Sequence, residues 1–392
     1  MLGGRQAFGV GLVWLSWFSA VLGTVALGLA AGAYVGKPGW VVNQGLWPLL
    51  SWDYNWYLSI ARTGYPSGRG GGEYAFFPLW PLLLRWAGMH WDVVAGAALA
   101  WVSSAAAFFG LAAGIPRARL RTALALACWP GSFALLLAYP DGLAMAAGAW
   151  AAVFALRGRL VTAGLIGAVA ALARPDGFLI ALPLAWLAWG KGPRAWFGAA
   201  LPVAAAAGVE AYFWARSGRA TAFFDAQALW GVGGPRFDER SVQLVGDMLE
   251  RNGLLIGLLA VVAAAAIALS WRRFGFGLWT TVVVAAAVLL LLSAVSLEMF
   301  LNSARAALVL PLLVVLWQLG PRYRPWAAFA TAVIAVLLVS GQMQSFGKQS
   351  LFAFPIFWAI ADGPRWLRYP PLAVLGFAAN LGLTLLLTHY PP

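Results

Sequence analysis

The sequence predicts an all-α polytopic membrane protein, and two observations carry that prediction. Apolar residues make up 62% of the 392-residue chain and charged residues only 10%, too little charge to cover a soluble protein of this length. The apolar residues also gather into long runs, many near the roughly 20 residues a membrane helix needs, with arginines singly or in small groups between them. A net charge of +13 would also suit nucleic acid, but arginines dispersed between apolar runs are arranged as topology determinants. One cysteine, Cys128, lies inside an apolar run, and His90 and His389 are far apart. That excludes a disulfide framework and argues against a thiol or imidazole metal centre.

In chain order the predicted spans are 8–34, 93–114, 121–138, 141–156, 160–174, 177–190, 195–214, 253–270, 275–296, 303–319, 326–341, 351–361 and 370–388. The first is longer than a signal-peptide core and lacks a clear small-residue cleavage site, so it is expected to be retained. Segment 76–86 is apolar but carries Pro78, Pro81 and Arg85, and is expected to be re-entrant or interfacial.

Charge tests the 13-span scheme. With the N-terminus in the cytoplasm, every inner connection between spans is short and carries at least two basic residues: Arg117, Arg119 and Arg121; Arg157 and Arg159; Lys191 and Arg194; Arg272 and Arg273; Arg322 and Arg324; Arg365 and Arg368. The positive-inside rule is counted over such loops. Of the 13 carboxylates only Asp362 falls inside, which marks the outer face as polar and a candidate for chemistry. Two outer loops are long, 35–92 and 215–252, and both are rich in aromatics; long loops in a compact protein are commonly functional or disordered.

The first long loop holds Ser51-Trp-Asp-Tyr-Asn-Trp-Tyr-Leu-Ser-Ile-Ala-Arg-Thr-Gly-Tyr65. As a helix it places Trp52, Trp56 and Ile60 on one face and Asn55, Ser59 and Arg62 on a polar stripe, with Gly64 as the stop. This is the pattern of an amphipathic helix at the outer interface. Asp53 stands in its first turn, where a carboxylate also simply suits a helix N-terminus; periodicity by itself does not make it a catalyst.

Two Pro-Asp-Gly turns follow, Tyr139-Pro-Asp-Gly142 and Arg174-Pro-Asp-Gly177. Each reads first as a hairpin between spans. Together they place Asp141, Arg174 and Asp176 at similar depth on the outer side. Arg174 ends an apolar run, where a charge is costly and tends to be functional or paired; binding an anion and pairing with Asp176 or Asp141 both remain open. Arg305, just inside the tenth span, suits a phosphate or pairs with Glu298. Gln227 and Trp230 in the second long loop are weaker binding candidates. No Walker A loop, HExxH, Gly-x-Ser-x-Gly or Cys/His cluster occurs in the sequence, which argues against a nucleotide-driven pump and a zinc protease.

Trp52-Asp53 with Tyr57-Leu58 and Ile60-Ala61, then Gly64-Tyr65, then Ala75-Phe-Phe-Pro-Leu-Trp-Pro81 and Arg85, resembles the PIG-V family, whose eukaryotic members are mannosyltransferases of GPI-anchor synthesis. Weaker echoes occur at 139–143, 174–183, 227–230 and 303–311. The resemblance implies a single GT-C glycosyltransferase domain over 1–392, with an interfacial helix in the first extracytoplasmic loop. It implies an inverting transfer of a sugar, most simply mannose, from a polyprenyl-phosphate donor to a hydroxyl of a glycolipid, glycan or protein acceptor. Asp53 matches the Trp-Asp motif and inherits the role of general base. Trp52, Tyr57, Asp141, Arg174, Asp176, Gln227, Trp230 and Arg305 are the expected substrate-binding residues, with Arg174 and Arg305 toward the departing lipid phosphate. No obligatory metal, no other cofactor and no nucleic acid is expected, and the expected location is a prokaryotic plasma membrane. The rival is a transporter or flippase of lipid-linked saccharides, which would more naturally carry charges near the middle of its spans or interrupted helices.

Overall fold

The computed structural model describes residues 4–31, 53–68, 71–87, 92–229, 309–340, 346–368 and 370–389, and their regular structure is all helical. The expected spans 253–270 and 275–296, and most of the loop 215–252, lie outside the described residues. The helices are α1 (Gly4–Ala30), α2 (Asp53–Thr63), α3 (Leu79–Trp86), α4 (Asp92–Gly114), α5 (Arg119–Ala127), α6 (Asp141–Leu156), α7 (Leu160–Ala173), α8 (Ala181–Ala188), α9 (Pro193–Ser217), α10 (Ala222–Leu229), α11 (Val309–Gln318), α12 (Arg324–Val339), α13 (Phe346–Gln349), α14 (Ile356–Asp362) and α15 (Pro370–His389).

Among the described residues three helices, Gly4–Ala30, Val94–Gly114 and Pro193–Ser217, are long and apolar enough to cross a membrane. With the apolar composition they make the chain a membrane protein. The expectation of 13 full spans is not confirmed, since most of the other apolar helices among the described residues are shorter, 10–17 residues. At ~1.5 Å per residue, a 16-residue helix such as α6 reaches about 24 Å, short of a hydrocarbon core of about 30 Å.

Three runs expected as continuous spans are broken instead. In 121–138, α5 stops at Ala127; Pro130 and Gly131, the latter at φ 107°, turn the chain into a 3₁₀ segment, Ser132–Leu136. Proline cannot extend the helical ladder, and glycine alone takes that left-handed backbone without strain. The freed amides of Gly131 and Phe133 donate to Oδ1 of the buried Asn380 on α15, at 3.2 and 3.1 Å. In 177–190 a 3₁₀ segment, Pro175–Ile180, precedes the eight-residue α8. In 351–361, Ser350–Phe352 is 3₁₀ and Pro355 caps the seven-residue α14.

Packing fixes the directions of the helices. Gly142 meets Ser103 and Gly110 meets Ala149 and Trp150, so α4 and α6 run the same way. Gly164 faces Gly198 and Gly167 faces Pro202, so α7 and α9 also run parallel. A Cβ on Gly164 would lie 1.9 Å from the Gly198 carbonyl oxygen, and one on Gly198 2.5 Å from that of Leu160. These are backbone-to-backbone contacts of the small-residue kind by which membrane helices associate. The directions agree with the alternation deduced from charge. At one end of the bundle Arg117 pairs with Asp362 at 2.6 Å, Tyr323 donates to the same carboxylate at 2.6 Å, and Arg322 donates to the Gly114 carbonyl at 3.2 Å. All four side chains come from connections assigned to one side.

The segments 53–68 and 71–87 are wedged into the bundle. Trp80 donates to the Ala138 carbonyl, Tyr65 to that of Phe76, and Arg216 to that of Tyr65. The short α3 fits the expectation of a non-spanning piece at 76–86. Helix α2 differs from the expected pattern. Its buried residues are Tyr54, Tyr57, Leu58, Ile60 and Ala61, with Tyr54 fully buried against Gly96 of α4. Ser59 and Arg62 are exposed as expected. Tyrosines that pack on protein fix the rotation of this helix, and the half-buried Trp56 stacks on Phe76 with ring centroids 5.8 Å apart.

Candidate active site

The site lies where α2, the two Pro-Asp-Gly starts and α13 meet. Asp53 opens α2, but its carboxylate does more than face its own helix terminus. Lys348 Nζ on α13 donates to Asp53 Oδ2 at 2.5 Å. Both side chains keep partial access, 32% for Asp53 and 20% for Lys348, so the pair is neither sealed nor fully solvated. Lys348 also sits over the ring of Tyr139, 4.6 Å from its centroid, within cation–π range. Burial works against the ammonium, but Asp53 and Asp141 outweigh it and hold Lys348 above the ordinary lysine value.

The two Pro-Asp-Gly motifs are not independent hairpins. Each starts a helical turn with its Asp in the first turn, Asp141 on α6 and Asp176 on Pro175–Ile180. Gly177 allows the second turn to lie against α7: a Cβ there would be 2.2 Å from the Ala170 carbonyl oxygen. Arg174 joins the two. It binds Asp176 in a fork, Nε to Oδ1 and Nη2 to Oδ2, each at 2.9 Å, and Nη1 pairs with Asp141. All three residues are buried, and the Arg174 guanidinium lies 5.6 Å from the Phe352 ring centroid. A buried charge is tolerated when paired and hydrogen-bonded, and here one cation answers two carboxylates. Of the two readings left open for Arg174, the structure shows pairing, and with both partners.

Asp141 lies within electrostatic reach of Asp53 and Lys348, so the five groups form one cluster of three carboxylates and two cations. Its aromatic wall is Tyr57 and Tyr139, whose rings are 6.4 Å apart, with Phe76 edge-on to Tyr57 at 5.1 Å. Tyr139 is hydrogen-bonded to the Asp53 backbone. Burial, then the nearby carboxylates Asp53 and Asp141, raise both tyrosines well above the ordinary phenol value, so they stay protonated.

The structure therefore brings together five of the expected residues: Asp53, Tyr57, Asp141, Arg174 and Asp176. Gln227 on α10 is placed elsewhere, donating to the Ala75 carbonyl at 3.3 Å, where it pins the first-loop segment. Trp52, Trp230 and Arg305 lie outside the described residues. Lys348 was missed. Its one sequence signal was to be, with Arg174, a basic residue in one of the short outer connections, the side that the positive-inside rule leaves unexplained.

Fold and site define the class: a polytopic membrane protein with a partly accessible, aromatic-walled carboxylate cluster at one end of its helices. No family model and no curated protein matches the chain. Among solved structures it is similar to the oligosaccharyltransferase of Archaeoglobus fulgidus, determined in complex with zinc and sulfate, with TM-score 0.44 and 14% identity over 95% of this chain and 53% of that one. The chain thus spans about half the length of that protein. A likeness at this level carries no argument about chemistry, which is taken from the site's own geometry.

Proposed function

We propose that this protein is an inverting glycosyltransferase of GT-C type, which moves a sugar from a lipid-phosphate donor to a hydroxyl acceptor at the outer membrane face. The observation that carries the proposal is Asp53: a partly accessible carboxylate at a helix start, held by a cation and walled by aromatic rings. The resemblance of residues 52–85 to the PIG-V family makes mannose the first sugar to test and polyprenyl phosphate the first carrier.

The chemistry needs few parts. The acceptor hydroxyl gives its proton to the Asp53 carboxylate as its oxygen attacks the anomeric carbon. The bond from that carbon to the phosphate oxygen breaks on the opposite face, the configuration inverts, and the lipid phosphate leaves. Lys348 occupies one Asp53 oxygen and leaves the other to accept the proton. Lys348 holds that carboxylate in position for the acceptor, and Arg174 is already shared between Asp141 and Asp176, so the phosphate departing on the opposite face needs a further cation. Arg305 remains the candidate for that phosphate cation.

The test is Asp53→Asn in purified protein supplied with polyprenyl-phosphate-mannose and a glycolipid acceptor. Removing a general base lowers transfer by about 10²–10⁴-fold, with the unfolding temperature close to that of the parent. Undiminished transfer by a folded variant would sink the assignment.

A further inference from the structure

A second charged site lies away from this cluster, where the start of α1 meets the start of α5. A cavity of about 290 Å³ is lined there by Arg5, Gln6, Arg117, Arg119 and Arg121, close to the lower end of ligand-pocket sizes of roughly 300–1,000 Å³. Four guanidinium groups gather with little to neutralise them. Arg117 pairs with Asp362, whereas Arg5, Arg119 and Arg121 form no ion pair among the described residues. Arg119 donates from Nη1 to Gln6 Oε1, while its Nε is buried without a partner. A donor hidden from water and left unsatisfied costs free energy, and an anion in the cavity would remove that cost. The opening turn of α5, whose free amides favour negative charge, forms part of the same wall.

The surroundings say which anion. Phe8 and Leu12 on α1, and Leu120 and Leu124 on α5, are exposed large apolar side chains one helical turn apart. In a membrane these two stripes meet acyl chains at the level where the arginines meet headgroups. We infer that the cavity binds the phosphate of an anionic phospholipid, with the acyl chains along α1 and α5. This site is independent of the proposed transfer reaction, since it lies at the Arg117–Asp362 end of the bundle.

Native mass spectrometry of the full chain, released from vesicles of equal phosphatidylglycerol and phosphatidylcholine, tests it. The protein should retain phosphatidylglycerol preferentially. Each arginine near an anionic headgroup is worth about fivefold, so Arg5→Gln with Arg119→Gln and Arg121→Gln should lower the preference about a hundredfold. The single change Arg5→Gln, at an exposed side chain that folding does not need, should lower it about fivefold. Arg157→Gln with Arg159→Gln, at the same end but outside the cavity, should leave it unchanged. The inference is overturned if Arg5→Gln leaves the preference intact, or if the Arg157/Arg159 pair lowers it as much as the cavity variants. Millimolar inorganic phosphate abolishing retention would also overturn it, because the ligand would then be the free ion.

Discussion

Breaking the link between Asp53 and Lys348 should cost about 1–2 kcal/mol of coupling, between the limits for exposed and buried pairs. Two unit charges near a protein surface attract by about 4 kcal/mol at 4 Å. Solvation returns most of that to exposed pairs, which keep ~0.2–1 kcal/mol, whereas a buried charge stranded by loss of its partner costs about 3–5 kcal/mol. With 32% and 20% of the two side chains accessible, water can resolvate whichever charge remains, but only in part. A double-mutant cycle of Asp53→Ala and Lys348→Met isolates this value. The contact of Lys348 with the Tyr139 ring, about 0.5–1 kcal/mol, is lost in both arms that change the lysine and so cancels. Unfolding in detergent, followed by tryptophan fluorescence, gives the four stabilities. Lys348→Met should also reduce sugar transfer by about 10²-fold, the size expected when a catalytic group is displaced by about 1 Å. A coupling below about 0.3 kcal/mol, the ordinary error of additivity, together with undiminished transfer, would refute this account of the pair.

Arg174→Ala should destabilise the protein by about 3–5 kcal/mol, because it strands two buried carboxylates; Arg174→Lys should recover only part of this, since an ammonium cannot reproduce the fork on Asp176, and thermal unfolding of the two variants compares them. Gly198→Ala should lower stability by about 1–3 kcal/mol, because its Cβ would lie 2.5 Å from the Leu160 carbonyl oxygen and α7 and α9 would have to separate; an unchanged midpoint would show that the contact is loose. At the other end, burial pushes the Asp362 carboxyl up, but the hydrogen bonds from Arg117 and Tyr323 and the nearby arginines outweigh it and leave it below the ordinary value. Its stabilisation is therefore present above pH ~3.9 and lost as pH falls through the depressed value. Asp362→Asn should flatten that acid limb of a stability–pH profile and leave sugar transfer unchanged.

Much of this protein was legible in one dimension because the membrane constrains one dimension strongly. Composition gave the class, and runs of arginine assigned the connections to sides. The parallel pairs α4/α6 and α7/α9 and the Arg117–Asp362–Tyr323 cluster run as that assignment requires. The repeated Pro-Asp-Gly motif marked Asp141 and Asp176, and the Trp-Asp stretch marked Asp53, since both are polar signals against an apolar background. The count of full spans did not follow in the same way. Hydropathy reports that a segment is buried, not that its helix is unbroken, and Pro130-Gly131 and Pro355 interrupt runs that are apolar throughout.

What only the tertiary structure decided is pairing. Lys348 meets Asp53 across 295 residues of sequence, and no periodicity within either helix encodes that contact. The rotation of α2, with Tyr54 rather than Trp56 at its buried centre, depends on a groove at Gly96 that belongs to another helix. Arg174 could have faced a ligand or its neighbours; the close approach that Gly177 permits against α7 brings Asp176 into its fork, and α6 supplies Asp141. Sequence fixes which groups are too polar to lie in lipid. Which of them neutralise one another is set by distances of a few ångströms, because Coulomb attraction at low dielectric rises steeply at contact, and only the packed bundle defines those distances.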